Sequence, residues 1–293
     1  MTKAVRRKRP TKKSAKKKAT KKRPPKTKGK KKKVDHGEQG FAGKSAISAV
    51  IYGPPGVGKT SVAAHFPKVG FIIDDQEEGI LTLSEYGLCP KPQFIETAKD
   101  FEHLLELCND VAAGEHDVQT LVLDSITGFE KLCFLYHCDE YFEGDWSSKG
   151  FFSYFQGPKN AAKVDWPRLM NALDDVRRSG VNVLLLGHSQ PKTYNNPEGA
   201  DYDRHTPYCD KDIWQVTHRW TKALIFYNYA VTVDKKGVRN KANQDSEDRF
   251  LNTEWSPAFD AKNQYGLEPL IDAGESGEDA YKALEAAFVS AGK

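Results

Sequence analysis

Residues 46–293 alternate between two hydrophobic rhythms, short unbroken apolar runs and apolar stripes at helical spacing. Ala46 to Tyr52 is an apolar, β-branched run suited to a buried strand, and Ser61 to Phe66 reads as a short helix stopped by Pro67. Val69 to Asp74 is a second strand ending in acids. Phe101, Leu104, Leu105, Cys108, Val111 and Ala112 then recur at helical spacing until Gly114. Val118 to Asp124 is the third strand, and Phe129, Leu132, Cys133 and Tyr136 mark one face of the following helix. Gly144 to Lys163, rich in Gly and aromatic residues, reads as a loop. Asp165 is placed to cap a helix with Trp166, Leu169, Met170, Leu173 and Val176 as its buried stripe. Val181 to Gly187 is a fourth buried strand. Strands alternating with helices predict an α/β fold, a mostly parallel sheet covered by helices on both faces.

After Thr221 the rhythm changes. Lys222 to Tyr229, Val231 to Asp234 and Arg249 to Thr253 read as strands joined by tight turns such as Asp234-Lys235-Lys236-Gly237, which predicts antiparallel strands near the C-terminus. Tyr281, Leu284 and Phe288 make a last amphipathic helix, with Ser276 and Asp279 spaced as a capping box. No internal repeat interrupts this order, so residues 41–293 are expected to form one domain.

Charge separates that domain from what precedes it. Residues 1–34 hold 19 of the 44 Lys and Arg and no acid, which leaves 25 basic against 40 acidic residues in the remainder. With little apolar to bury, residues 1–40 are expected to be a disordered Lys/Arg-rich tail. Such a tail gains affinity for nucleic acid by releasing counterions, serves as a nuclear address, or solubilises the chain. No apolar stretch follows the charges as in a secretory signal, and no run of about eighteen apolar residues could span a membrane. A soluble, intracellular protein with no membrane partner is expected. Five cysteines without a C-x-x-C pair fit free thiols. Cys133 and His137 have i, i+4 spacing, but lacking a second ligand pair they read as core rather than zinc ligands.

The candidate chemistry starts where the first strand ends. Gly53-Pro54-Pro55-Gly56-Val57-Gly58-Lys59-Thr60 fits G-x-x-x-x-G-K-[ST] at every fixed position. Backbone N–H groups can wrap a phosphate only where no side chain blocks the approach, hence Gly53, Gly56 and Gly58. Lys59 supplies positive charge, Thr60 a hydroxyl for Mg²⁺, and the helix that opens through Ser61 the positive end of its dipole. Residues 53–61 are therefore read as the segment that binds a nucleoside triphosphate with Mg²⁺. The metal's water shell needs a carboxylate at the end of a neighbouring strand, and Asp124 is its candidate; otherwise it is a strand-end acid capping the next helix.

Several of these pieces together are similar to the RecA/RadA-like P-loop ATPases of phages and prophages, often described as AAA-family ATP-binding proteins and linked to single-strand annealing and recombination. The resemblance spans about residues 46–270. It rests on the Walker A segment with Phe66-Pro67, the acidic strand end Asp74 to Gly79, Asp124-Ser125, Leu186-Gly187-His188-Ser189, and Ala261-Lys262-Asn263-Gln264-Tyr265-Gly266-Leu267. AAA+ ATPases place a catalytic Glu directly after the Walker B Asp, where this chain has Ser125. RecA-like ATPases take theirs from the end of the strand after the Walker A helix.

The resemblance implies a RecA-like ATPase that couples ATP binding and hydrolysis to single-stranded DNA binding in recombination, annealing or replication. It implies a homo-oligomer in the cytoplasm of a bacterial or phage-infected cell rather than a nucleus. The water-activating residue would be Glu77 or Glu78, although simple register places Gln76 there; Glu77 is preferred. A Gln orients a water without taking its proton at neutral pH, which keeps a nucleotide switch with little turnover open as an alternative. A P-loop kinase is another, though no Arg-rich lid is visible. His188 takes the place of a γ-phosphate sensor or is a structural His. Residues 189–208, with Lys192, Tyr194, Arg204, His205 and Tyr208, correspond to DNA-contacting loops or form a solvated loop. Phe151, Phe152, Tyr154 and Phe155 are a stacking platform, a subunit contact or core. Lys262 is a candidate cation for a neighbouring subunit's γ-phosphate.

Overall fold

The computed structural model describes residues 46–230, 232–236, 239–243 and 248–292. The basic tail and the start of the domain at residue 41 lie outside them. The described elements run β1 (Ser48–Gly53), α1 (Lys59–Ala64), β2 (Val69–Ile73), α2 (Gly79–Glu85), β3 (Phe94–Thr97), α3 (Phe101–Ala113), β4 (Thr120–Asp124) and α4 (Ile126–Phe142). Then come α5 (Gln156–Val164), α6 (Trp166–Arg178), β5 (Asn182–Tyr194), β6 (Tyr202–Pro207), α7 (Lys211–Trp220) and β7 (Ala223–Tyr229). The chain continues through β8 (Thr232–Lys236), β9 (Arg239–Asn243), β10 (Arg249–Asn252), β11 (Lys262–Asn263), β12 (Leu270–Asp272) and α8 (Gly277–Ser290).

The main sheet has the order β12-β10-β7-β1-β5-β4-β2-β3. From β7 to β3 every neighbouring pair is parallel. β10 and β11 join β7 antiparallel, β12 joins β10, and β6 folds back on β5. Strand side chains point alternately to the two faces, and the core divides accordingly. Val50, Tyr52, Val183 and Leu185 pack with Phe101, Phe129, Trp166 and Leu173 on one face. Ala49, Ile51, Leu184 and Leu186 pack with Val62, Ile80, Leu284 and Phe288 on the other. The central strands are buried on both sides, which is why they read as unbroken apolar runs.

The expected capping box is met in part: Ser276 Oγ accepts from the Asp279 N–H at 3.1 Å, and Asp279 Oδ2 reaches back to the Ser276 hydroxyl at 2.6 Å in place of its backbone N–H. Elsewhere the structure corrects the sequence reading. Gly144 to Lys163 is not a loop throughout, because a 3-10 turn at Ser153–Phe155 leads into α5, whose buried residues Gly157, Pro158, Ala161 and Ala162 are too small to register as a stripe. Asp165 does not cap α6 with its side chain; it is buried and its carboxylate takes His137 Nδ1 and Arg168. The fourth strand runs on past Gly187 to Tyr194, and residues 189–208 form a hairpin with β6 instead of a loop. The strand expected at Val231 to Asp234 runs through Lys236, and Val231 and Gly237 lie outside the described residues. Short α2, β3 and the largely half-exposed α7 complete the set. Among the described residues no helix is long and apolar enough to cross a membrane.

Candidate nucleotide-binding site

Four parallel strands end side by side, and their C-terminal ends carry the candidate residues. β1 delivers residues 53–60, β5 delivers His188 in register with Gly53, β4 ends on Asp124, and β2 leads into Asp74 to Glu78. Gly53 is required by the β7 backbone, since a Cβ there would lie 2.0 Å from the Tyr227 carbonyl oxygen. Gly56 (φ 78°) and Gly58 (φ 106°) hold the left-handed conformations that turn successive N–H groups toward one concavity. A Cβ on Gly56 would meet nothing within 4 Å. Pro54 is half-buried and Pro55 exposed. Val57 is fully buried under the loop.

Lys59 opens α1 and is buried, with Nζ donating to the carbonyls of Gly53 at 3.2 Å and Pro54 at 3.0 Å. Burial holds its pKa below the usual lysine value, against the pull of Asp124 and Glu77. Thr60 Oγ1 donates to Asp124 Oδ2 at 2.8 Å. Asp124 is pushed up to about 6 by burial, with the Glu77 charge adding to the effect. Ser61 faces elsewhere: its hydroxyl lies where a Cβ on Gly277 of α8 would come within 2.1 Å.

The three candidates after β2 separate clearly. Gln76 is exposed, and its N–H donates to Asp74 Oδ1 at 2.8 Å. Glu78 is exposed at the head of α2. Glu77 turns inward, where its Oε1 meets His188 Nε2 at 2.7 Å. That hydrogen bond, more than any other influence, keeps the Glu77 carboxyl below its usual pKa.

Sequence reasoning missed what supports this turn. Asp74 is buried, and its Oδ2 accepts from the Ser125 N–H at 3.2 Å while its own N–H donates to the Asp124 carbonyl at 3.1 Å. Gly128 of α4 lies so close that a Cβ there would sit 1.8 Å from Asp74 Oδ2. Arg249 and Tyr229 approach the loop from outside, with Nη1 on the Val57 carbonyl and Oη on the Gly56 carbonyl. Asp74, as the first acid after an apolar strand, carried a readable signal; Arg249 and Tyr229 carried none.

An oxygen donor pair, Thr60 and Asp124, beside a cationic loop lined with N–H groups fits Mg²⁺-ATP, because Mg²⁺ takes oxygen ligands and shares them with phosphates. Among the described residues no cluster of three or more His, Cys, Asp or Glu makes an all-protein metal site. Cys133 is fully buried in the core and His137 bonds Asp165.

The family model described as "AAA domain" matches residues 45–265. This chain belongs to that AAA-domain family. Its fold is α/β, with β5 set between β1 and β4 in a mostly parallel sheet and the G-x-x-x-x-G-K-T segment following β1. Among solved structures it is similar to the RadB recombinase, with TM-score 0.42, 14% identity, and 80% of this chain and 90% of that chain covered. It is also similar to the flagellar accessory protein FlaH from Methanocaldococcus jannaschii, with TM-score 0.41, 11% identity, and coverage of 80% and 88%. No curated protein matches the chain.

The remaining candidates of this AAA-domain protein lie apart. On the hairpin, Lys192 and Tyr194 are exposed, while Arg204 is only 13% exposed, its guanidinium 5.9 Å from the Tyr194 ring and 5.6 Å from the Trp255 ring. His205 stacks on Phe226, and Tyr208 is exposed. The aromatic platform is split: Phe151 is fully buried, whereas Phe152, Tyr154 and Phe155 face solvent. Lys262 Nζ donates to the carbonyls of His218 and Thr221, at the end of α7.

Proposed function

We propose that the protein is an ATPase that couples ATP binding and hydrolysis to its grip on single-stranded DNA, working as a cytoplasmic homo-oligomer in recombination, annealing or replication. The observation that carries the ATPase reading is the convergence of Lys59, the Thr60–Asp124 pair and the Glu77–His188 pair at one end of the sheet. Bound Mg²⁺-ATP supplies the phosphoryl group and the charge that neutralises Asp124. Residues 53–60 would enclose the phosphates, with Ser61 adding only its backbone at the head of α1, and Lys59 would exchange its loop carbonyls for phosphate oxygens. Glu77, kept ionised by His188, orients a water and accepts its proton at a carboxylate oxygen. Gln76 and Glu78, both exposed, take no part in that step.

His188 precedes the hairpin on the same strand, so it links the occupancy of the site to residues 189–208. Lys192, Tyr194 and Tyr208 offer the charge and ring faces that single strands need. Residues 1–34 add sequence-independent affinity through their 19 Lys and Arg.

Phosphate release tests the reading, measured with and without single-stranded DNA for the full chain, for a chain lacking residues 1–34, and for Lys59→Ala. DNA-stimulated release that Lys59→Ala abolishes is the expected result. Absence of DNA binding by either length of chain at low salt removes the DNA part of the proposal.

A further inference from the structure

We infer that Tyr229 and Arg249 are positioning residues that aim two backbone N–H groups of the glycine-rich loop at the nucleotide's phosphates. The inference rests on the nucleotide reading above. The two residues are direct cross-strand partners where β7 meets β10, and the Arg249 guanidinium lies over the Tyr229 ring, 5.4 Å from its centroid. Tyr229 Oη donates to the Gly56 carbonyl at 3.2 Å, and Arg249 Nη1 to the Val57 carbonyl at 3.4 Å.

Peptide planarity makes these contacts consequential. The C=O of one residue and the N–H of the next belong to one rigid plane and point in opposite directions. Holding the Gly56 and Val57 carbonyls on the β7–β10 side therefore turns the N–H groups of Val57 and Gly58 to the other side. Positive φ at Gly56 and Gly58 is the backbone form that gathers such N–H groups into an anion-binding concavity. Without the brace each peptide is free to rotate, and ATP would have to order it on binding.

The guanidinium is also close enough to act as charge. A Cβ on Gly58 would lie 3.2 Å from Arg249 Nη1 and 3.7 Å from Tyr227 Oη. Arg249 Nε is buried without a hydrogen-bond partner among the described residues, and no ion pair there engages Arg249. Among the described residues its charge is not spent on a carboxylate. It stands behind the loop and adds to that of Lys59.

Three variants separate the contributions. Tyr229→Phe keeps the ring and removes the bond to Gly56, Arg249→Gln removes the charge, and Arg249→Lys keeps the charge without the planar fork. A fluorescent ATP analogue is titrated with Mg²⁺ onto the full chain, and ATP and AMP compete for it. Tyr229→Phe is expected to weaken ATP about five-fold, the size of one net hydrogen bond, and Arg249→Gln about ten-fold or more, with Arg249→Lys between native and Gln. AMP, which engages less of the loop, should lose less than ATP, so the ATP-to-AMP preference narrows. A merely structural role would lower Tm and leave that preference unchanged. Native preference in a folded Tyr229→Phe, while Lys59→Ala loses ATP, overturns the brace. ATP binding undiminished in Lys59→Ala overturns the nucleotide reading itself.

Discussion

Gly128→Ala pits helix propensity against one close contact, and the magnitudes predict which wins. Gly128 lies in the first turn of α4, where Ala is favoured over Gly by about 1 kcal/mol. Against that, the new Cβ would fall 1.8 Å from Asp74 Oδ2, 2.1 Å from Cγ and 2.5 Å from Cβ. Rotating the carboxylate does not clear the last of these, so backbone has to move. Overpacking of this kind costs roughly 1–3 kcal/mol. Displacing Asp74 also strips the buried Ser125 N–H of its acceptor, worth about 1–3 kcal/mol more. The net expectation is destabilisation by about 1–5 kcal/mol, read as a fall in the urea midpoint at constant m-value. Phosphate release should fall with it, because the same carboxylate fixes the turn that carries Glu77. Adding Asp74→Gly to Gly128→Ala removes the Cβ as well as the carboxylate and makes room, so the two changes should be less than additive. A Gly128→Ala protein as stable as the native one would show that propensity prevails and that the contact is soft.

Glu77→Gln should retain ATP binding and lose turnover by about a hundred-fold or more, whereas Gln76→Ala should release phosphate like the native chain; comparable losses in both would reassign the base. Burial raises Asp124 from 3.8 to about 6, so this group favours the fold below its unfolded pKa and that contribution is lost as pH rises through about 6. Mg²⁺ takes the ionised form, so its apparent affinity with nucleotide should tighten up to about ten-fold per unit toward pH 6 and level off above about 7, with Asp124→Asn removing the slope. A flat profile in the native protein would contradict this. Phe151→Ala should cost roughly 3–5 kcal/mol in denaturant unfolding, because Phe151 is fully buried among Phe134, Phe142 and Trp146. Tyr154→Ala, at 92% exposure, should fall within about 0.5 kcal/mol of native, and equal costs would place both rings in the core.

The parts of the fold that were legible encode their geometry locally. The segment Gly53 to Thr60 spells out backbone conformations residue by residue, and the central strands announce two-sided burial by unbroken apolar runs. α5 was hidden because its buried face is Gly, Pro and Ala. The second half of β5 was hidden because beyond Gly187 its residues are half-exposed or exposed, and only pairing with β6 makes them a strand. Within the site, Asp124 followed from strand position, but the choice of Glu77 over its neighbours depended on His188, 111 residues away. Asp74 meets Ser125 across 51 residues, and Arg249 meets Val57 across 192. Contacts of that separation leave no periodicity or spacing for a single sequence to display.

β5 passes without interruption from the core through His188 to the hairpin tip at Tyr194. At about 3.3 Å per residue, those six steps make an arm of roughly 20 Å. An arm that long converts a tilt of about 5° at the histidine into roughly 2 Å at the tip, enough to make or break a hydrogen bond. Under the proposed nucleotide reading the strand would work as a lever with its short end at His188, its gain set by how many residues extend past the sheet. Shortening the hairpin by one pair on each strand would reduce that gain while leaving every group at the short end in place.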